Sequence, residues 1–235
     1  MKQCLENWQP TYIASSVELI TPAVFREGLA LEDFDTVLFD SRTALVPGCD
    51  EIDHDKVCDN MRRMSLIGLD LYLLNEEGDR RQDELEGVVR DAALDIDVIC
   101  PDILEVESAL VRPEVQSLPA MIDFIIKKKR PPTERILMVG DSILTDVVAA
   151  NRAGIHSLLL PEHHGPRRLA DGVRRIAEAM IRKYLLGDNV PACTDDFPDT
   201  VTAASPLHSV AQNSHAKSIR RYLRRTQKES ESDLE

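Results

Sequence analysis

The stretch from Arg135 to Leu160, RILMVGDSILTDVVAANRAGIHSLLL, constrains this chain more than any other. Ile136 to Val139 is a short apolar run of the kind that forms a buried strand. Gly140-Asp141-Ser142 breaks it. A helical pattern follows, with Leu144, Val147, Val148 and Asn151 on one face, and it ends at Gly154, a good C-cap residue. Ile155 to Leu160 is the next apolar run. Strand, acidic turn, helix, glycine and strand make one repeat of a parallel α/β sheet. Asp141 then sits at the carboxyl end of a strand, the ligand-binding edge of such sheets. Asp146 follows five residues later. Two carboxylates there suit a hard cation such as Mg²⁺, and equally suit a strand end and a helix N-terminus that bind nothing.

The preceding chain repeats the alternation. Thr36-Val37-Leu38-Phe39-Asp40 predicts a buried strand that also ends on an aspartate. Helices are expected from the Asp50–Asp55 segment through Ile67, over Arg80 to Ala93, and over Pro113 to Lys129, with strands over Leu69 to Leu74 and Asp97 to Cys100. Pro10 to Ile13 reads as extended, and Thr21-Pro22 as the start of a short helix. Arg168 to Leu186 predicts a long helix with Leu169, Val173, Ile176, Met180, Ile181 and Leu185 facing inward, and with Arg174, Arg175, Arg182 and Lys183 on solvated sides. That basic side also suits contact with an anionic membrane surface. Shifts in composition divide the chain into an N-terminal extension packing on the domain (1–34), an α/β domain (35–187), and a flexible polar tail (188–235) with a basic patch over Ser218 to Lys228 that suits a protein partner.

Composition narrows the function classes. A net charge of −13 argues against general nucleic-acid binding, which needs a basic face. No run approaches the roughly 20 apolar residues of a membrane span. The five cysteines form no CxxC pair and are odd in number, which predicts free thiols in a reducing, cytoplasmic compartment.

With a strand-ending Asp40 and a strand-Gly-Asp at 140–141, the chain resembles the phosphatases of the haloacid dehalogenase (HAD) superfamily. Within it the chain resembles the YqeG branch (type IIIA), which includes the phosphatidylglycerophosphate phosphatases. The residues that carry this are PTYIASSVELITPAVFREGL leading into TVLFDSRTALVP, then VGDSILTDVVAANRAGIHSLLLP and the long basic closing helix. The resemblance implies a HAD-like Rossmannoid α/β fold, a parallel sheet with helices on both faces. It implies no large cap domain, since only about 28 residues separate Asp40 from the next strand. It also implies an aspartate nucleophile at Asp40, an Mg²⁺ cofactor held by Asp40, Asp141 and Asp146, and a phosphorylated small molecule or phospholipid head group as substrate.

Other family positions are filled differently in this chain. The acid/base position falls on Arg42, the following Thr position on Ala44, the Ser/Thr position on Leu74 beside Asn75, and the Lys position on Arg112. Arg42 cannot move a proton, because guanidinium stays charged at working pH. Loss of general acid–base help typically costs about 10²–10⁴-fold. Asn75 and Arg112 remain as phosphate-binding candidates. Asp50 and His54 are candidate replacements for the acid, and His163-His164 lies in a loop after a strand. Three readings follow: a degenerate HAD phosphatase that binds phosphate or acts as a scaffold, a working Mg²⁺-dependent phosphomonoesterase such as a phosphatidylglycerophosphate phosphatase, and an α/β binding module outside the superfamily. The expected location is cytoplasmic, with peripheral membrane association.

Overall fold

A computed structural model describes residues 8–26, 29, 31–45, 53–76, 79–100, 117–161, 171–186 and 202–203. Arg112, Asp50, His163, His164 and the basic patch at 218–228 lie outside the described residues.

The described strands are β1 (Tyr12–Ile13), β2 (Thr36–Asp40), β3 (Asp70–Leu74), β4 (Asp97–Ile99), β5 (Ile136–Gly140), β6 (His156–Leu159) and β7 (Thr202–Ala203). They form one sheet in the order β4-β3-β2-β5-β6-β1-β7. The first six run parallel, and β7 pairs antiparallel with β1 along the edge. β7 falls within the segment whose composition reads as a polar tail. The described helices are α1 (Ser41–Ala44), α2 (His54–Leu66), α3 (Asp79–Asp91), α4 (Ser117–Lys129), α5 (Val148–Ala153) and α6 (Asp171–Leu186). Among the described residues the β2–β3 connection holds only α1 and α2, and no cap domain.

Helices cover both faces of the sheet, and the residue alternation along the strands shows why. Val37, Phe39, Leu71, Leu73, Leu137 and Val139 point to one face, where Val57, Met61 and Met64 of α2 and Leu85 of α3 meet them. Leu38, Tyr72, Leu74, Ile136 and Met138 point to the other, against Leu118, Met121, Ile122 and Ile125 of α4 and Ala149 and Ala150 of α5. A strand apolar on both faces is what a buried parallel sheet requires. Ile13, Ile143, Val147, Leu159, Leu185 and Leu186 form a third cluster that seats α6.

Two helical faces differ from expectation. Residues 143–147 form a π-helical turn before α5 begins. The wider turn brings Ile143 into the core in place of Leu144, which is half-buried, and Val147 is buried as expected. On α6, Met180 is 68% exposed and Arg182 only 4%, the reverse of the predicted faces. The inward stripe is Glu178, Ile181, Arg182 and Leu185, spaced i, i+3, i+4, i+7, so two charged residues occupy core-facing positions. Gly154 closes α5 in the left-handed region (φ 72°), as the sequence predicts.

The strand order reverses between β2 and β5. From β2 the chain builds outward through β3 and β4, then crosses back to lay β5 on the other side of β2. The crevice at such a switch point, beyond the strands' carboxyl ends, is where open α/β sheets bind ligands. Asp40 and Gly140 end these two strands.

The facing of α4 and α6 predicts a contrast. Ile122→Ala, at a fully buried position, costs about 2–5 kcal/mol in urea unfolding, whereas Met180→Ala stays within about 0.5 kcal/mol. A comparable loss for Met180→Ala contradicts this orientation of α6.

Candidate active site at the β2–β5 switch point

Asp40 is buried (1% exposed) at the tip of β2, where it caps α1. Its Oδ1 accepts the Arg42 backbone N–H at 3.3 Å and its Oδ2 accepts the Thr43 hydroxyl at 3.0 Å. Ala44 therefore does not leave the carboxylate without a hydroxyl: Thr43, one residue earlier, supplies it. A carboxylate oxygen has room for more than one partner, so both oxygens keep acceptor capacity.

Asp141 and Asp146 reach the same place from β5. Asp146 is buried, and its Oδ2 accepts the Ser142 N–H at 3.0 Å while Oδ1 accepts the Thr145 hydroxyl at 2.9 Å. The π-helical turn folds this carboxylate back onto the strand end, against Gly140. A Cβ at position 140 would overlap the Asp146 carboxylate, so glycine is required by close approach. One oxygen from each of Asp40, Asp141 and Asp146 lies within 4.8 Å of the others.

Burial and mutual repulsion dominate the electrostatics. Burial first, then the charges of Asp141 and Glu76, push the Asp40 carboxyl up to about 6, although Arg42 and the Thr43 hydroxyl pull it down. Asp146 is raised well above the usual carboxylate range, by burial first and then by Asp40 and Asp141. Arg42 faces this cluster. Its Nη2 donates to Glu76 Oε2 at 2.9 Å, and its Nε lies 3.7 Å from Asp40 Oδ2 without a hydrogen bond. The Asp40 charge leads in raising the guanidinium further above its ordinary value, with Glu76, Asp146 and Asp141 adding to it. Arg42 is thus a fixed cation among four carboxylates.

The residues present fit a hard divalent cation. They are oxygen donors that converge, and two of the three carboxylates are buried. Leu74 is fully buried and lies opposite Asp40 in the sheet. Asn75, one residue past β3, is buried and donates to Gln82 Oε1 at 3.4 Å, on the α3 side. His54 opens α2, and its Nε2 is buried without a hydrogen-bond partner.

Four further residues lie around the site: Thr43, Glu76 and Glu178, which carry no expectation from the sequence, and Arg182, which is expected on a solvated side and is buried. Glu178 accepts hydrogen bonds from the Ser142 hydroxyl (3.2 Å) and the Ile143 N–H, and Arg182 donates to the backbone carbonyls of Leu160 (3.1 Å) and Asp141. A Glu/Arg pair spaced i, i+4 within the apolar stripe of a helix is the signal that could have revealed the last two.

Comparison with known proteins adds a partial match. The family described as HAD-hydrolase-like matches residues 117–178. That span includes Asp141, Asp146 and Glu178 but leaves Asp40 and Arg42 outside it. Among solved structures, an uncharacterized protein from Corynebacterium glutamicum shares 17% identity over 61% of this chain and 93% of its own, at a TM-score of 0.39. An uncharacterized protein from Listeria monocytogenes shares 16% over 64% and 99%, at 0.40. The core domain of a proposed phosphoglycolate phosphatase from Streptococcus pneumoniae shares 20% over 62% and 96%, at 0.36. No curated protein matches the chain significantly.

The raised carboxyls predict a pH dependence. A carboxyl with a raised folded pKa binds its proton more tightly folded than unfolded, so its contribution weakens the fold as pH rises. For Asp40 the window runs from the usual 3.8 to about 6, and Asp146 acts in the same direction. Urea unfolding in the presence of a chelator is expected to show stability falling across that window, with a flatter profile for Asp146→Asn. A chelated protein that gains stability across it contradicts the assignment.

Proposed function

We propose that this chain is a HAD-like phosphatase homologue whose site binds Mg²⁺ and a phosphate group but turns phosphomonoesters over poorly. Asp40, Asp141 and Asp146 would hold the cation. When bound, it would neutralise negative charge on phosphate oxygens. Asp40 is the candidate nucleophile. Asn75 and Arg112 stay as phosphate-binding candidates, and the ligand is a phosphorylated small molecule or a phospholipid head group. The HAD-hydrolase-like match over residues 117–178 supports the superfamily. The YqeG branch rests on the motifs quoted above.

One observation carries the impaired-catalysis reading. Arg42, at the family's acid/base position, is turned toward the site and tied to Glu76 at 2.9 Å. Guanidinium can pair with a phosphate, but it neither protonates a leaving alkoxide nor takes a proton from water. Leu74 adds a buried apolar side chain on the neighbouring strand where the family pattern offers a hydroxyl.

A working phosphomonoesterase is the second reading, favoured by the Thr43 hydroxyl on Asp40 and by the Glu76 carboxylate beside Arg42. The third reading, a module outside the superfamily, would be favoured by Asp40 and Asp141 on non-adjacent strands, and β2 and β5 are direct neighbours. The division into 1–34, 35–187 and 188–235, a cytoplasmic location with peripheral membrane contact, and a protein partner for the basic tail remain part of the proposal. No helix among the described residues is long and apolar enough to cross a membrane.

Purified full-length protein, Mg²⁺ and two substrates test the reading. p-Nitrophenyl phosphate has a leaving group that needs no acid, whereas glycerol phosphate needs one. The wild type is expected to hydrolyse the first slowly and the second barely. Arg42→Asp, paired with Glu76→Gln to limit the added negative charge, should raise glycerol phosphate turnover about tenfold or more, and Asp40→Asn should abolish it. Brisk wild-type hydrolysis of glycerol phosphate that Asp40→Asn removes would establish the second reading instead.

A further inference from the structure

We propose that Glu178 and Arg182 of α6 are positioning residues that set the cation affinity of the Asp40–Asp141–Asp146 cluster. The inference rests on the cation reading above.

The contacts of this pair converge on the acidic turn. One Glu178 oxygen accepts the Ile143 N–H, and the other accepts the Ser142 hydroxyl at 3.2 Å. Ser142 is also the residue whose N–H holds Asp146, at 3.0 Å, and its Oγ accepts the Thr145 N–H at 3.2 Å. Arg182 binds the Asp141 carbonyl through Nη2 and the Leu160 carbonyl, just past β6, through Nη1 at 3.1 Å. The backbone of residues 141–143 is therefore gripped from outside the loop by one acceptor side chain and one donor side chain. The two grips are tied together, because Arg182 Nη2 lies 3.7 Å from Glu178 Oε1.

Both side chains are nearly inaccessible, at 5% and 6% exposure. Removing two charges from water is costly, and apolar residues of similar volume commonly serve packing as well or better. What an apolar pair could not do is fix the direction of the Ile143 N–H and the Asp141 carbonyl. That direction decides where the side chains of Asp141 and Asp146 stand relative to Asp40. Groups that orient metal ligands in this way typically change metal affinity about 10–100-fold when removed.

The test uses the full-length chain and Mg²⁺ titrated by calorimetry near neutral pH, at a temperature where melting curves show every variant folded. Glu178→Gln keeps the size but loses one acceptor and the charge, and should weaken Mg²⁺ binding about tenfold or more. Arg182→Lys keeps the charge and one carbonyl contact, and should fall between wild type and Arg182→Met. Ile125→Val, in the α4 cluster, which includes no residue of α6, lowers stability without changing Mg²⁺ affinity, which separates positioning from general loosening. Amide exchange of residues 142–147 should quicken in Glu178→Gln and not in Ile125→Val. If Glu178→Gln fails to fold, the Arg182→Lys and Arg182→Met comparison carries the test. Wild-type affinity in the α6 variants, alongside loss of binding in Asp141→Asn, overturns the positioning inference and leaves the cation site standing. Failure of the wild-type chain itself to bind Mg²⁺ overturns both.

Discussion

Three carboxylates held within 4.8 Å of one another, two of them buried, form an arrangement that repels itself. Like charges at such distances in a poorly hydrated place cost far more than in water. Much of the local structure at the β2–β5 junction can be read as the means by which the chain tolerates them. The Arg42 and Ser142 backbone N–H groups, the Thr43 and Thr145 hydroxyls and the Arg42 guanidinium all face this negative charge. Gly140 leaves the space in which Asp146 lies. The sheet underneath supplies the rigidity: β2 and β5 are apolar on both faces and sealed by helices on each side, so the two tips cannot drift apart without opening the core.

Arg42 gives this arrangement its chemical character. A fixed positive charge beside Asp40 stabilises the ionised cluster and suits a bound phosphate. At the same position, a group with an accessible proton would serve turnover. One side chain cannot fill both roles, and the proposed function assigns Arg42 the binding one. Glu76 completes the choice by holding the guanidinium in place at 2.9 Å. The α6 pair extends the same logic outward, with buried charge spent on backbone direction.

The fold was legible where periodicity and chain breaks agreed. Buried β-branched and leucine runs mark β2, β3 and β5, and an aspartate at the end of two such runs marks the crevice. Three things were not legible. The π-helical turn at 143–147 depends on one extra residue per turn, which an ideal helical period does not represent, so that period turns Leu144 inward where the structure buries Ile143. On α6, the apolar residues admit two stripes, and the correct one includes Glu178 and Arg182, whose burial depends on backbone groups far away in the chain. Thr43, Glu76 and β7 depend on tertiary placement: a hydroxyl one residue from the family position, a carboxylate just past a neighbouring strand, and a two-residue edge pairing with β1. Arg112 and the 218–228 patch lie beyond the described residues and stay as sequence readings.

The most direct measurement of the central claim is an anomalous diffraction map from crystals of the full-length protein soaked with Mn²⁺ and inorganic phosphate. The account predicts a Mn²⁺ peak ligated by Asp40, Asp141 and Asp146, with a phosphate oxygen within hydrogen-bond reach of the Arg42 guanidinium. A map with no cation among those carboxylates, or with Arg42 turned to solvent and another acid in its place, would contradict it.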